Sequence, residues 1–177
     1  DLAGHRRSNE AAGDRGQVEA INLGGNSLSD AVGCAQGLVG LFVNEPAAVV
    51  QAACTALPIN VLQFHGDESP EYCRQFARPY LRAARVKPGF DLVEFAGSFP
   101  DARGLLLDAF VEGYGGGGHV FDWTLIPPGL PGFLVLSGGL NAENVGDAIE
   151  RVRPVAVDVS SGVEMSKGIK DHSKIAA

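Results

Sequence analysis

No apolar run in this sequence approaches the roughly 20 residues that a membrane-spanning helix needs. The first residues, DLAGHRRSNE, carry no apolar signal core. A soluble, cytoplasmic protein with no membrane partner is therefore the expectation. Basic residues are in the minority, with 14 Lys and Arg against 21 Asp and Glu and a formal net charge of -7. That charge repels a nucleic-acid backbone, and the Lys and Arg are scattered instead of gathered into a stripe, so no nucleic-acid partner is expected. Cysteine is scarce too. Cys34, Cys54 and Cys73 stand about twenty residues apart, with no Cys-x-x-Cys pair and no histidine at ligand spacing. Neither a disulfide framework nor a zinc site is indicated, no metal is expected, and the three read as reduced, structural thiols.

What is present is a chain of 177 residues, 45% hydrophobic, long enough to bury a core as one domain over residues 1–177. Short apolar runs alternate with amphipathic segments. GLVGLFV (37–43), INVLQF (59–64), LRAARV (81–86), GLLLDAF (104–110), FLVLS (133–137) and VAVDVS (155–160) have strand length and little polar alternation. Parallel strands covered on both faces read in this way. Between them, EPAAVVQAACTAL (45–57) reads as a helix with Pro near its start. Asn141 is placed to cap a second helix, in which Val145, Ala148, Ile149 and Val152 recur at helical spacing. Repeated strand-helix-strand units give an α/β fold with a parallel sheet, either open or closed into a barrel.

In such folds the site forms where the strands end at their carboxyl side. INVLQF leads into His65-Gly66-Asp67-Glu68, GLLL into Asp108, FLVL into Ser137-Gly138-Gly139, and VAVDV into Ser160-Ser161-Gly162. Glycine lets a backbone approach a ligand, and consecutive N–H groups form a nest for an anion. Two Ser-Gly loops on successive strands therefore point to one shared phosphate. Each loop alone is as well explained by a tight turn. Gly115 to Gly118 reads either as a linker or as a loop over the site. His65 serves either a neighbouring backbone group or catalysis. A carboxyl group placed directly after three leucines, as Asp108 is, is expected to be partly desolvated, and its plainer reading is a structural ion pair.

VLQFHGDE, GLLLDAFVEGYGGGGHVFDW, LSGGLNAENVGDAI, VDVSSGVE and KGIKD, in that order and spacing, resemble the phosphoribosylanthranilate isomerase family over about residues 37–175. The resemblance implies a (β/α)8 TIM barrel and an enzyme of tryptophan biosynthesis. It implies an Amadori rearrangement of a phosphosugar, N-(5-phosphoribosyl)anthranilate, with no cofactor. Carried onto this sequence, it makes Asp108 the general acid that protonates the ring oxygen. It sets the substrate phosphate on Gly138, Gly139, Ser160, Ser161 and Gly162. It assigns further substrate contacts to Gln63, His65, Asp158 and Gly116, in a protein that is a monomer or homodimer.

The sequence departs from the family in places. The family's first strand carries Lys-Ile-Cys-Gly, whose cysteine is the general base. Residues 1–36 hold no match to it, and Cys34 sits instead in AVGCAQG. Set against the family, residues 10–25 fall on the first helix and second strand, which puts the first strand upstream of Asp1. Most of the last helix is also missing from the comparison. The Ser-Pro-Arg stretch expected to meet the anthranilate carboxylate has no counterpart, and Gly117 replaces the threonine of Gly-Gly-Thr-Gly. An inactive or truncated phosphate-binding barrel, or a related phosphosugar barrel, is the alternative reading.

Overall fold

A computed structural model of the chain describes residues 17–21, 37–109 and 120–176. The apolar runs become strands β2 (Gly37–Phe42), β3 (Ile59–Phe64), β4 (Tyr80–Val86), β5 (Gly104–Ala109), β6 (Phe133–Leu136) and β7 (Ala156–Val157). They are preceded by β1 (Gln17–Ile21) and followed by a small pair, β8 (Glu164–Ser166) and β9 (Ile169–Lys170). The helices are α1 (Ala47–Ala56), α2 (Pro70–Arg74), α3 (Leu92–Ser98), α4 (Val145–Val152) and α5 (His172–Ala176). The chain divides into two compact units, Asp1–Ala83 with Ser98–Gly104, and Ala84–Gly97 with Leu105–Ala177.

In the first unit β2, β3 and the start of β4 lie side by side in parallel, with Phe42 opposite Phe64 and Phe64 opposite Arg82. The Phe64 ring anchors this layer, with the rings of Phe42, Tyr72, Phe76 and Tyr80 5.8 to 6.4 Å from it, centroid to centroid. Such stacked, tilted and edge-on pairs add to the burial of the rings themselves. Residues 17–21 correct one expectation. They form a strand next to β2, but it runs antiparallel, pairing Gln17 with Leu41 and Ile21 with Gly37, whereas the second strand of a β/α barrel is parallel to the third. Among the described residues β1 pairs with β2 alone, and an antiparallel ladder is slightly more stable per residue than a parallel one.

Cys54 and Cys73 are both buried, as structural thiols should be, while Cys34 lies outside the described residues. Burial pushes the Cys73 thiol up to about 12, so the nucleophilic thiolate is nearly absent at neutral pH. Cys73 is therefore expected to resist alkylation at pH 8 in the native protein and to react once the protein is unfolded in urea, as read by peptide mass spectrometry. Rapid labelling of the native protein would mean that this thiol is accessible and ionised.

In the second unit Leu105, Leu107, Phe121, Leu136, Leu140 and Ala148 form one apolar core, completed by Ala84, Val86, Leu92 and Ala96. β6 and β7 are parallel. Helix α4 starts one turn later than the sequence suggests. Asn144, not Asn141, stands at its N-cap and makes no side-chain cap bond there. The Asn141 carboxamide oxygen instead accepts the N–H groups of Glu143 and Asn144, holding the turn that precedes the helix. β7 is also shorter than the run 155–160, because the chain leaves the sheet at Asp158. Among the described residues no helix is long and apolar enough to cross a membrane.

Candidate active site

In the second unit the ladder bonds bring three strand ends to the same level. Ser137 N–H donates to the Leu107 carbonyl at 2.8 Å, and Asp158 N–H to the Leu136 carbonyl at 2.8 Å. Asp108, Ser137 and Asp158 thus each follow a leucine or valine at the carboxyl ends of β5, β6 and β7. Ser137 Oγ donates to Asp158 Oδ2 at 3.3 Å, so the last two of these residues are in direct contact.

Asp108 is half-buried, and its Oδ1 accepts the N–H of Ala109 at 2.8 Å. The same oxygen lies against the next strand's loop. A β-carbon built on Gly138 would stand 2.8 Å from it and 2.6 Å from the Ala109 nitrogen. Gly138 also has φ +85, a backbone region that side chains with a β-carbon rarely adopt. Glycine is required there twice over, once by the turn and once by the carboxylate.

The two Ser-Gly loops touch each other. A β-carbon on Gly162 would overlap the Leu140 carbonyl oxygen and stand 2.8 Å from the Leu140 carbonyl carbon. The 138–140 loop is in turn held from behind by Asn144, whose Nδ2 donates to the Gly139 carbonyl at 3.0 Å and whose Oδ1 accepts the Asn141 N–H at 2.9 Å. Ser161, Gly162 and Val163 form a single 3-10 turn. The arrangement joins a carboxyl group able to exchange a proton with two adjoining loops of glycine and serine backbone, the kind of surface that receives an anion.

Gln63 and His65 belong to the first unit. Gln63 is buried within β3, and its Nε2 lies 3.2 Å from His65 Nδ1. The loop that carries His65 is built around Glu68, which is itself buried. Its carboxylate accepts the N–H groups of Asn44 at 2.7 Å and Gly66 at 2.9 Å. Arg82 closes the loop from the sheet side, donating to the Phe64 and Gly66 carbonyls at 2.8 Å each and lying 3.7 Å from Glu68. A buried carboxylate and guanidinium persist because each is paired and hydrogen-bonded.

The structure therefore brings together Asp108, Gly138, Gly139, Asp158, Ser160, Ser161 and Gly162 within the second unit, and within the first unit it pairs Gln63 with His65. Gly116 lies outside the described residues. The sequence pointed to Ser137 only as the first residue of a candidate loop, and the loop-holding bonds of Asn144 and Lys170 were not anticipated. Lys170 Nζ donates to the Ser160 carbonyl at 2.8 Å. The signal was there in outline, since Ser137 lies in LSGGLNAENVGDAI and Lys170 in KGIKD. Their partners, however, are 21 and 10 residues away. Among the described residues no group of three or more His, Cys, Asp or Glu side chains is placed to hold a metal ion.

The family profile described as N-(5'phosphoribosyl)anthranilate (PRA) isomerase matches residues 25–177. The N-(5'-phosphoribosyl)anthranilate isomerase of Dechloromonas aromatica (strain RCB) is 84% identical over 140 residues, which cover 79% of this chain and 67% of that protein. Among solved structures, monomers generated from the dimeric phosphoribosylanthranilate isomerase of Thermotoga maritima align with a TM-score of 0.67 and 39% identity, covering 84% of this chain and 73% of that one. A phosphoribosyl anthranilate isomerase in complex with reduced 1-(o-carboxyphenylamino)-1-deoxyribulose 5-phosphate aligns with a TM-score of 0.66 and 38% identity, covering 83% and 74%. The chain spans about two thirds of the length of the curated relatives it matches.

Proposed function

The chain belongs to the N-(5'-phosphoribosyl)anthranilate isomerase family of tryptophan biosynthesis and has the α/β TIM-barrel fold, and from that premise we propose that it catalyses the family's Amadori rearrangement as a single phosphate-binding domain. The observation that carries this reading is the contact of the Asp108 carboxylate with Gly138, in the loop that also touches Gly162. A proton donor and a backbone anion surface are thereby set side by side.

The substrate is N-(5'-phosphoribosyl)anthranilate and the product 1-(2-carboxyphenylamino)-1-deoxyribulose 5-phosphate. The N–H groups and hydroxyls of Gly138, Gly139, Ser160, Ser161 and Gly162 receive the phosphate. That group is remote from the reacting carbons, so its binding energy serves to hold the sugar in reacting geometry. Asp108 gives its proton to the ring oxygen as the C1–O bond breaks, and the anthranilate nitrogen supplies the electron pair that forms the Schiff base. A base then removes the C2 proton, and the resulting enolamine takes a proton at C1 as it tautomerises to the ketose. An acid in this role works best when partly withdrawn from water, as the half-buried Asp108 is. Asp158, oriented by Ser137, holds the anthranilate amine. Gln63, His65 and Gly116 contribute to substrate binding. The chemistry is proton transfer throughout and calls on neither cofactor nor metal. The protein acts as a monomer or homodimer in the cytoplasm.

The test is turnover of N-(5'-phosphoribosyl)anthranilate by the purified protein, with product identified by chromatography, alongside a titration with the product followed by amide NMR. Product formation, with the amide signals of Gly138, Gly139, Ser161 and Gly162 moving as product binds, is expected. Binding without turnover would identify an inactive phosphate-binding barrel, and signals that stay in place would overturn the phosphate site.

A further inference from the structure

We propose that Lys170 is a positioning residue for the substrate phosphate, acting by holding the Ser160 carbonyl so that the N–H groups of residues 161 and 162 face the phosphate. The inference deepens the reading above and rests on it. Lys170 Nζ donates to the Ser160 carbonyl at 2.8 Å and to Glu164 Oε1 at 3.2 Å. Glu164 and Lys170 are opposite each other across the β8–β9 pair, and both side chains are largely withdrawn from solvent, at 12% and 26% exposure. The ammonium is thus fixed by the strand pair before it reaches the loop. Two further bonds tie the same pair to the same place, Asp171 N–H to the Val163 carbonyl at 2.8 Å and Lys174 Nζ to the Glu164 carbonyl at 2.7 Å.

Peptide geometry turns this anchor into a directional device. In a trans peptide the carbonyl of one residue and the N–H of the next point to opposite sides of the chain, and the described residues contain no cis peptide. While Lys170 holds the Ser160 carbonyl, the Ser161 N–H must point away from Lys170. Ser160 has φ -107 and ψ -85, outside the helical and extended regions, and its carbonyl also accepts the Val163 N–H of the turn at the longer distance of 3.4 Å, so Lys170 at 2.8 Å is its shorter anchor. Ser161 and Gly162 begin a helical turn, and the first N–H groups of a turn have no partner within it. They remain available to an anion. Glu164 offsets the charge of Lys170, so orientation of the peptide, more than a net positive field, is what Lys170 supplies.

The experiment compares the wild-type protein with Lys170→Met and Lys170→Arg, titrating each with inorganic phosphate by amide NMR and measuring kcat and KM for the phosphosugar. In Lys170→Met, folded by circular dichroism, phosphate affinity is expected to fall by about tenfold, the scale of one lost charged hydrogen bond. KM should rise by a similar factor while kcat changes much less. Arginine, which keeps a cationic donor, should bring the affinity back to within about threefold. Unchanged phosphate affinity in Lys170→Met would overturn the assignment, as would a loss confined to kcat. A loss that arginine does not relieve would overturn it as well. Should the methionine variant not fold, Lys170→Ala carries the same test with the same expected loss. If the wild-type amides of Ser161 and Gly162 do not respond to phosphate, the phosphate site itself fails. A wild-type response that Lys170→Met retains in full sinks only the role of Lys170.

Discussion

Asp108→Asn is expected to lower turnover by at least about 10²-fold, the loss typical of a removed general acid, while the affinity for product largely survives. Asparagine has nearly the same size and still offers an oxygen at Oδ1 to accept the Ala109 N–H, the bond that fixes this side chain at 2.8 Å. It also fits the narrow space beside Gly138. What it lacks is the proton to transfer. The prediction therefore separates chemistry from binding: kcat falls steeply, and the dissociation constant of product, measured by titration calorimetry, moves little. Turnover within tenfold of the wild type would mean that another group donates to the ring oxygen.

Gly162→Ala should have the opposite signature, a loss of phosphosugar binding. The added methyl group would occupy the position of the Leu140 carbonyl oxygen and crowd Asn141 Cα. Both neighbours are backbone, so no side chain can swing aside, and one of the two loops must move. Forcing one methyl group into a packed site costs about 1–3 kcal/mol, which corresponds to roughly 5- to 150-fold in affinity if it falls on the bound loop geometry. KM for the phosphosugar is expected to rise accordingly. An unchanged KM would show that the loops tolerate separation and that their contact does not shape the site.

Much of the fold was legible because strands buried on both faces appear as unbroken apolar runs, and β2 to β6 fall on those runs with ends shifted by a residue or two. The parts that were not legible have physical reasons. In VAVDVS only Ala156 and Val157 remain in the sheet, and the residues beyond are partly exposed on the loop, so hydrophobicity outran the strand. Asn141 and Asn144 are equally good caps by composition, and only the turn between them decides which one meets the helix. The β8–β9 pair is built from segments of three and two residues, mostly exposed, with no periodicity to find. Its turn at Gly168, with φ +80, was its one local mark.

At the site, Asp108 and the two glycine loops were visible because strand ends announce themselves locally. The contacts that organise them were not, since Ser137 with Asp158 and Lys170 with Ser160 are tertiary pairings. Arg82 and Glu68 are the sharpest case. Charged residues within an apolar run and a polar loop give no sign that both become buried against one another. The antiparallel direction of β1 was equally hidden, because a strand's composition does not encode its sense.

The space shared by Asp108 and Gly138 limits how this scaffold can be altered. One atom position is claimed by the carboxylate of the first residue and denied to any side chain of the second, so the two positions cannot be varied independently. A designer wishing to fit a longer acid at 108 must lengthen or re-route the loop that begins at 137. A designer wishing to recognise something other than a phosphate with that loop must do so using backbone alone at 138, or else relocate the acid. Random diversification of either residue by itself will mostly return misfitted rims, whereas libraries that vary position 108 together with the length of the 137–141 segment sample combinations the packing can accept.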